Sequence, residues 1–222
     1  MTAFFLTGTD TEIGKTFSAC ALLHAWRSQG HTAAGYKPVA AGAEWIDGQW
    51  CNEDALRLQA ASTPGISLAR INPVCLQHAL APHLAARAEQ CEIERSPLIA
   101  GFEQISGLVE HVLVEGVGGF RVPLGRDFDS ADLAVSLGLP VILVVGMRLG
   151  CLNHALLTAE AIQSRGLQLA GWIGNSLADP MLAQAQNVQT LSELLPAPCL
   201  GVLPHVPSAD PARVAHCLAL PA

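Results

Sequence analysis

Apolar residues along the chain fall into two patterns that alternate. Short runs, apolar almost throughout, predict strands: AFFLT (3–7), TAAGYK (32–37), HVLVE (111–115), VILVV (141–145), LAGWIGN (169–175) and CLGVL (199–203). Several show no polar alternation, the mark of strands buried on both faces of a parallel sheet. Between them, TFSACALLHAWRSQG (16–30), SPLIAGFEQISGLVE (96–110), NHALLTAEAIQSRG (153–166) and MLAQAQNVQTLSELL (181–195) carry apolar residues at helical spacing. Gly30 and Gly166 stand where helix C-caps are expected. This βαβα repetition predicts an α/β fold, a doubly wound and mainly parallel sheet flanked by helices on both faces. Residues 38–100 break the pattern. Rich in Pro, Ala and polar residues and weakly periodic, they read as a long excursion near a binding site.

A chain of 222 residues, half of them apolar, suits one large α/β domain spanning 1–222, with two small domains as the alternative. Nineteen acidic against 12 basic residues argue against a nucleic-acid partner, which would need a basic face. The seven cysteines are scattered and never spaced C-x-x-C, so reduced thiols are expected and neither a disulfide framework nor a zinc site is indicated. The eight histidines show no metal-ligand spacing. No basic-then-apolar leader opens the chain, and the longest apolar stretch, LPVILVV (139–145), is far short of a membrane span. The expectation is a soluble cytoplasmic protein with no membrane partner.

The candidate chemistry starts at GTDTEIGKT (Gly8–Thr16), between the first strand and the first helix. It has the ending of a phosphate-binding loop, with five residues between the glycines where the usual pattern has four. Gly14 would let the backbone approach a phosphate, and the amides of a helix starting near Lys15 would point at it. Lys15 supplies a mobile cation for the β and γ phosphates, and the Thr16 hydroxyl is placed for Mg2+. Glu12 projects from the loop, either as an exposed charge or as a group facing nucleotide or substrate.

Such a loop needs acidic partners for its metal. Glu115 ends a buried strand, where burying an unpaired carboxylate is costly, and glycines 116, 118 and 119 follow it. A salt bridge to a helix is its structural alternative. Asp54 could equally be a first-turn carboxylate serving a helix dipole, as could Glu53. Lys37 ends a strand before Pro38, either beside the phosphate loop or as a surface lysine. The segment GCLNHALLT (Gly150–Thr158) opens a helix after the VILVV strand, so its amides form a second anion site, with Asn153 as a plausible cap.

GTDTEIGKT, GYKPVAAG, NPVCL followed by APH, VLVEGVGG, VILVVGMRLGCLNHALLT and GWIGN, in order from about residue 3 to residue 206, resemble the dethiobiotin synthetase family. The resemblance implies a P-loop NTPase-like fold and an ATP- and Mg2+-dependent carboxylase and cyclo-ligase. In that family 7,8-diaminopelargonate takes up CO2 (from bicarbonate) as a carbamate. ATP phosphorylates the carbamate, and the second amine closes the ureido ring with loss of phosphate. The resemblance also implies residue roles. Lys37 and Lys15 would be catalytic, contacting carbamate and transferring phosphoryl, and Thr16, Asp54 and Glu115 would hold Mg2+. Glu12, Ile13, Gly14, Lys15, Thr16 and Phe17, with Glu115, Gly116, Val117 and Gly118, would surround the phosphates. Asn175 and the backbone at Pro204, His205 and Val206 would frame adenine. Thr11, Lys37 and Ala41 would face the diamine. Cys151, Leu152 and Asn153 would hold its tail carboxylate from the neighbouring subunit, so a homodimer is implied.

Two departures stand out. The family often has a serine after KPVA, where this chain has Ala41, and no residue aligns cleanly with the family's ribose-binding acid, Asp210 being the nearest. A hydroxyl lost from a buried polar contact costs about 1–3 kcal/mol unless water or a neighbour replaces it. The competing class is a P-loop switch ATPase of the septum-positioning or plasmid-partition type. Those typically carry a second lysine early in the loop, where this chain has Thr9, and end in a membrane-binding helix or show a basic DNA face. A related amide-forming ligase, as in cobalamin synthesis, would normally carry a glutaminase domain for which 222 residues leave no room.

Overall fold

The computed structural model describes residues 1–178, 181–206 and 210–221. In chain order the elements are β1 (Thr2–Gly8), α1 (Lys15–Ser28), β2 (Ala33–Tyr36), β3 (Val39–Ala41), β4 (Glu44–Ile46), β5 (Gln49–Cys51), α2 (Glu53–Ala61), α3 (Leu68–Ile71), β6 (Val74–Leu76), α4 (Pro82–Ala88) and α5 (Arg95–Ser106). There follow β7 (His111–Glu115), α6 (Ser130–Leu137), β8 (Val141–Met147), α7 (Cys151–Ser164), β9 (Leu169–Ser176), α8 (Gln184–Leu194), β10 (Cys199–Leu203) and a 3-10 helix (Pro211–Cys217).

Six strands form one parallel sheet in the order β10-β9-β8-β1-β7-β2. The six strands are those that the apolar runs predict. Strand β8 is buried at every position and β1 at all but its first, so helices must cover both faces. Chain order reverses at β1, which lies between β7 and β8, and ligands of such sheets bind at the carboxyl ends beside that switch point. β1 ends there in the glycine loop and β7 in Glu115.

The helices start and stop a little differently from their sequence patterns. α5 ends at Ser106, because Leu108–Glu110 form the lead-in to β7, where Glu110 and His111 amides bond the Thr32 carbonyl. α7 starts at Cys151 with Gly150 as its N-cap, so Asn153 lies inside the first turn and is not the cap. The excursion at 38–100 carries short elements, two of them small separate sheets, β3 with β6 and β4 with β5. Strands of three residues and helices of four to nine are too short to show a period, so the weak pattern there was real but the order was not visible. Asn52 caps α2, accepting from the amides of Asp54 and Ala55. α6 has a capping box between Asp129 and Asp132. No helix among the described residues is long and apolar enough to cross a membrane.

Leu143 is fully buried at the middle of β8, in register with Thr7 on one side and Trp172 on the other. Leu143→Ala leaves a cavity that neighbours on two strands cannot collapse into, so it should destabilise the protein by about 2–5 kcal/mol. The measurement is the urea unfolding midpoint, which should fall with an unchanged slope.

Candidate active site

The loop after β1 is pinned to the sheet at its middle. Its extra residue is absorbed at Glu12, whose φ of 58° is left-handed, and Ile13 then turns inward and is buried. Ile13 lies between Gly8 and Gly146, where an added Cβ on either glycine would come within 2.7 Å of an Ile13 carbon. Gly14 follows with φ 82°, which a side chain would resist, and a Cβ there would stand 2.2 Å from the Asn175 amide nitrogen. Asn175 Nδ2 in turn donates to the Ile13 carbonyl at 2.9 Å. α1 has no side-chain cap, which leaves its first amides free for an anion.

Lys37 lies one residue past β2. Its amide donates to the Ile71 carbonyl, and its own carbonyl accepts from Asn72 Nδ2 at 2.8 Å, so the excursion holds the backbone from outside the main sheet. Its side chain, 2 % exposed, reaches the end of β7. Lys37 Nζ lies 2.6 Å from Glu115 Oε1 and 3.3 Å from Asp54 Oδ2, and donates to the Gly116 carbonyl at 3.2 Å. Thr16 Oγ1 donates to the same Glu115 oxygen at 2.8 Å. The other carboxylate oxygen, Glu115 Oε2, is buried with no hydrogen-bond partner.

The protonation states follow from these contacts. Burial alone would lower the Lys37 pKa, but Glu115 and Asp54 outweigh it and hold the ammonium above its ordinary value. Burial would raise Asp54, but Lys37, with a hydrogen bond from Thr16, holds its carboxyl below the usual range. Lys15 has no such carboxylate contact. Its Nζ donates to the Asp10 carbonyl at 2.8 Å, and burial, with Lys37 nearby, pushes it down to about 8.

These groups face a cavity of about 970 Å³, lined by Thr11, Glu12, Gly14, Lys15, Thr16, Phe17, Lys37, Ala41, Asp54, Val117 and Gly118 among the residues that the sequence singles out. Glu115 and Gly116 lie beside it with Val117, along a smaller void of about 10 Å³. The Gly116 amide donates to the Leu6 carbonyl, so it serves the sheet and is not free for an anion. Ala41 offers no hydroxyl, and its carbonyl accepts from Asn52 Nδ2 at 3.3 Å. Asn175 is in register with Leu203, so Pro204, His205 and Val206 leave the sheet beside it. Asp210 caps the 3-10 helix by accepting from the Ala212 amide, and its neighbours 207–209 lie outside the described residues.

Cys151, Leu152 and Asn153 do not line this cavity. α7 also lacks a side-chain cap, and the preceding Leu149 is 96 % exposed. Three contributors escape the sequence reading. Asn52, Asn72 and Asp10 act through backbone contacts, and only Asn52 carries a local signal, as an N-cap residue before Glu53 and Asp54.

Thr16, Asp54 and Glu115 supply hard oxygen donors of the kind Mg2+ takes, and the unpartnered Glu115 Oε2 is a buried lone-pair donor that a cation would satisfy. The donor set therefore fits a Mg2+ ion.

Comparison with known proteins gives the fold and the family. The chain matches AAA_26, described as an AAA domain, over residues 2–213. Among solved structures it is similar to the cell division ATPase MinD of Pyrococcus furiosus (TM-score 0.59, 16 % identity, 96 % of this chain and 90 % of that one). It is likewise similar to a ParA family ATPase of Chlorobium tepidum (TM-score 0.58, 8 % identity, 93 % and 86 %). At such identities the likeness shows the P-loop NTPase-like fold alone. Curated relatives go further. The ATP-dependent dethiobiotin synthetase BioD of Aromatoleum aromaticum is 60 % identical over 99 % of this chain and 97 % of that protein. The proteins of the same name are 50 % identical in Xanthomonas oryzae, over 99 % and 98 %, and 52 % identical in Ralstonia nicotianae, over 95 % and 92 %. With relatives 50–60 % identical over nearly its whole length, the chain belongs to the ATP-dependent dethiobiotin synthetase family.

Proposed function

We propose that this protein converts 7,8-diaminopelargonate, CO2 and ATP to dethiobiotin, ADP and phosphate. The observation that carries the reading is the buried Lys37 ammonium, held by Glu115 and Asp54 beside Lys15 and Thr16 at one cavity.

One amine of the diamine attacks CO2, forming an N–C bond and, on losing a proton, a carbamate. A carbamate oxygen attacks the γ-phosphorus of ATP, the bond to the bridging oxygen breaks, and ADP leaves. The second amine then attacks the carbonyl carbon, phosphate leaves, and loss of a proton completes the cyclic urea. Each species before the product is anionic. Lys15 and Lys37 stabilise that charge as it develops, because their ammonium groups are already placed and partly desolvated. Lys15 leaves the Asp10 carbonyl for the phosphates. Thr16, Asp54 and Glu115 hold Mg2+, which when bound neutralises phosphate oxygens. Ring closure is intramolecular, so orientation supplies much of its rate.

The phosphates lie against residues Glu12–Phe17 and Glu115–Gly118, and adenine lies between Asn175 and Pro204–Val206. Thr11 and Ala41 face the diamine. Its tail carboxylate meets the amides of the partner subunit's Cys151–Asn153 turn in a cytoplasmic homodimer. That assignment is supported by the uncapped start of α7, which follows the exposed residues 148–150 and is not used by the cavity of its own chain.

Mass analysis of the products formed from diamine, bicarbonate, Mg2+ and ATP tests the reaction. A ring product heavier by one carbonyl, with matching ADP, is expected. Its absence, with ADP released on adding a protein partner instead, would favour the switch-ATPase reading. Lys37→Gln should bind ATP nearly normally and lose about 100-fold or more in turnover, by analogy with removal of other charge-stabilising donors. Normal kcat in that variant would remove Lys37 from catalysis. Glu115→Ala should shift the Mg2+ titration of nucleotide binding to higher concentration, and an unmoved titration would take Glu115 out of the metal shell.

A further inference from the structure

Arg57 was not among the residues that the loop motifs singled out, yet it lines the same cavity as Thr16, Phe17 and Lys37. It lies three residues after Asp54 on α2, so the two side chains share a helix face. Glu12, Asp54 and Glu115 outnumber Lys15 and Lys37 at the site. Without Arg57 the cavity and its floor would be net negative before a polyanion entered.

The other two cations are already engaged. Lys37 is held by two carboxylates, and Lys15 donates to the Asp10 carbonyl. Arg57 has one side-chain partner among the described residues, Glu53 Oε1 at 2.5 Å. That pair is open to solvent, with Arg57 49 % and Glu53 77 % exposed, so it is screened and readily exchanged. A guanidinium presents a planar fork that matches phosphate oxygens, and it keeps its charge at any working pH.

Its helix, α2, packs against α1, and this says which anion Arg57 meets. Thr16 and Phe17 form the first turn of α1, where free amides favour phosphate. We infer that Arg57 is a nucleotide-binding residue that leaves Glu53 to bind the triphosphate of ATP, and that it does not contact the diamine. The inference rests on the reading of this cavity as the ATP site.

The test is the dissociation constant of Mg-ATP, measured by calorimetry with no diamine present, for the parent, Arg57→Ala, Arg57→Lys and Glu53→Gln. Arg57→Ala should weaken binding about tenfold, the scale of one charge-assisted hydrogen bond. Arg57→Lys should recover part of that loss, and Glu53→Gln should bind as tightly as the parent or tighter, since it releases the guanidinium. Steady-state kinetics should show a raised KM for ATP and an unchanged KM for the diamine. Binding by Arg57→Ala within twofold of the parent would overturn the inference, as would an equal loss in Glu53→Gln, which would mean that the pair only supports α2. A raised diamine KM with normal ATP binding would also overturn it. A parent that binds Mg-ATP but makes no ring product would remove the proposed reaction and leave this assignment standing.

Discussion

A lysine ammonium with almost no contact with water keeps its charge in this protein because two carboxylates stand against it. Desolvating an ion costs several kcal/mol, and the arrangement is tolerable only when attraction and hydrogen bonds offset that cost. Glu115, Asp54 and the Gly116 carbonyl supply the offset for Lys37, and Thr16 donates to the same Glu115 oxygen. The four groups come from three places in the chain: the end of β7 with the residue after it, the first turn of α2 and the first turn of α1. The cluster therefore requires the sheet order that brings β1, β7 and β2 side by side, and a fold that failed to pair those strands would leave ions buried alone.

The same cluster explains why the site is chemically useful. Charges that are already fixed and dried need not reorganise when a phosphoryl group moves, which is the general basis of electrostatic catalysis. Lys15 differs from Lys37 in being held only by a carbonyl, and burial, with the charge of Lys37 nearby, lowers its pKa. One lysine is locked by carboxylates and the other rests on a single carbonyl.

The strands of the main sheet were legible because each is buried on both faces and so apolar along its length, as β8 shows at every residue. The strand, loop and helix around Gly14, Lys15 and Thr16 were legible, since that order depends on the local sequence alone. Asp54 was ambiguous because its partner, Lys37, is 17 residues away across the short elements of the excursion, where no period reveals the path. Asn72 and Asp10 left no trace in the sequence pattern, since they act by donating to or accepting through the backbone, and residue type does not announce such contacts. Asn153 looked like a cap because a polar residue stood before an apolar run. The helix instead begins at Cys151, capped by Gly150, which stands three residues before Asn153 with a positive φ of 94°.

Ile13 gives the longer loop a property that its length conceals. An extra residue would ordinarily add slack to a loop, and slack is conformational freedom that a ligand must remove when it binds. Here the side chain at the middle of the loop is seated in the core between two glycines, while Asn175 holds its carbonyl from another strand. The entropy of shaping the loop is thus lost during folding, before any nucleotide arrives. An anion bound there would meet a loop already shaped, so more of the contact energy would remain as affinity and less would be consumed in ordering the protein.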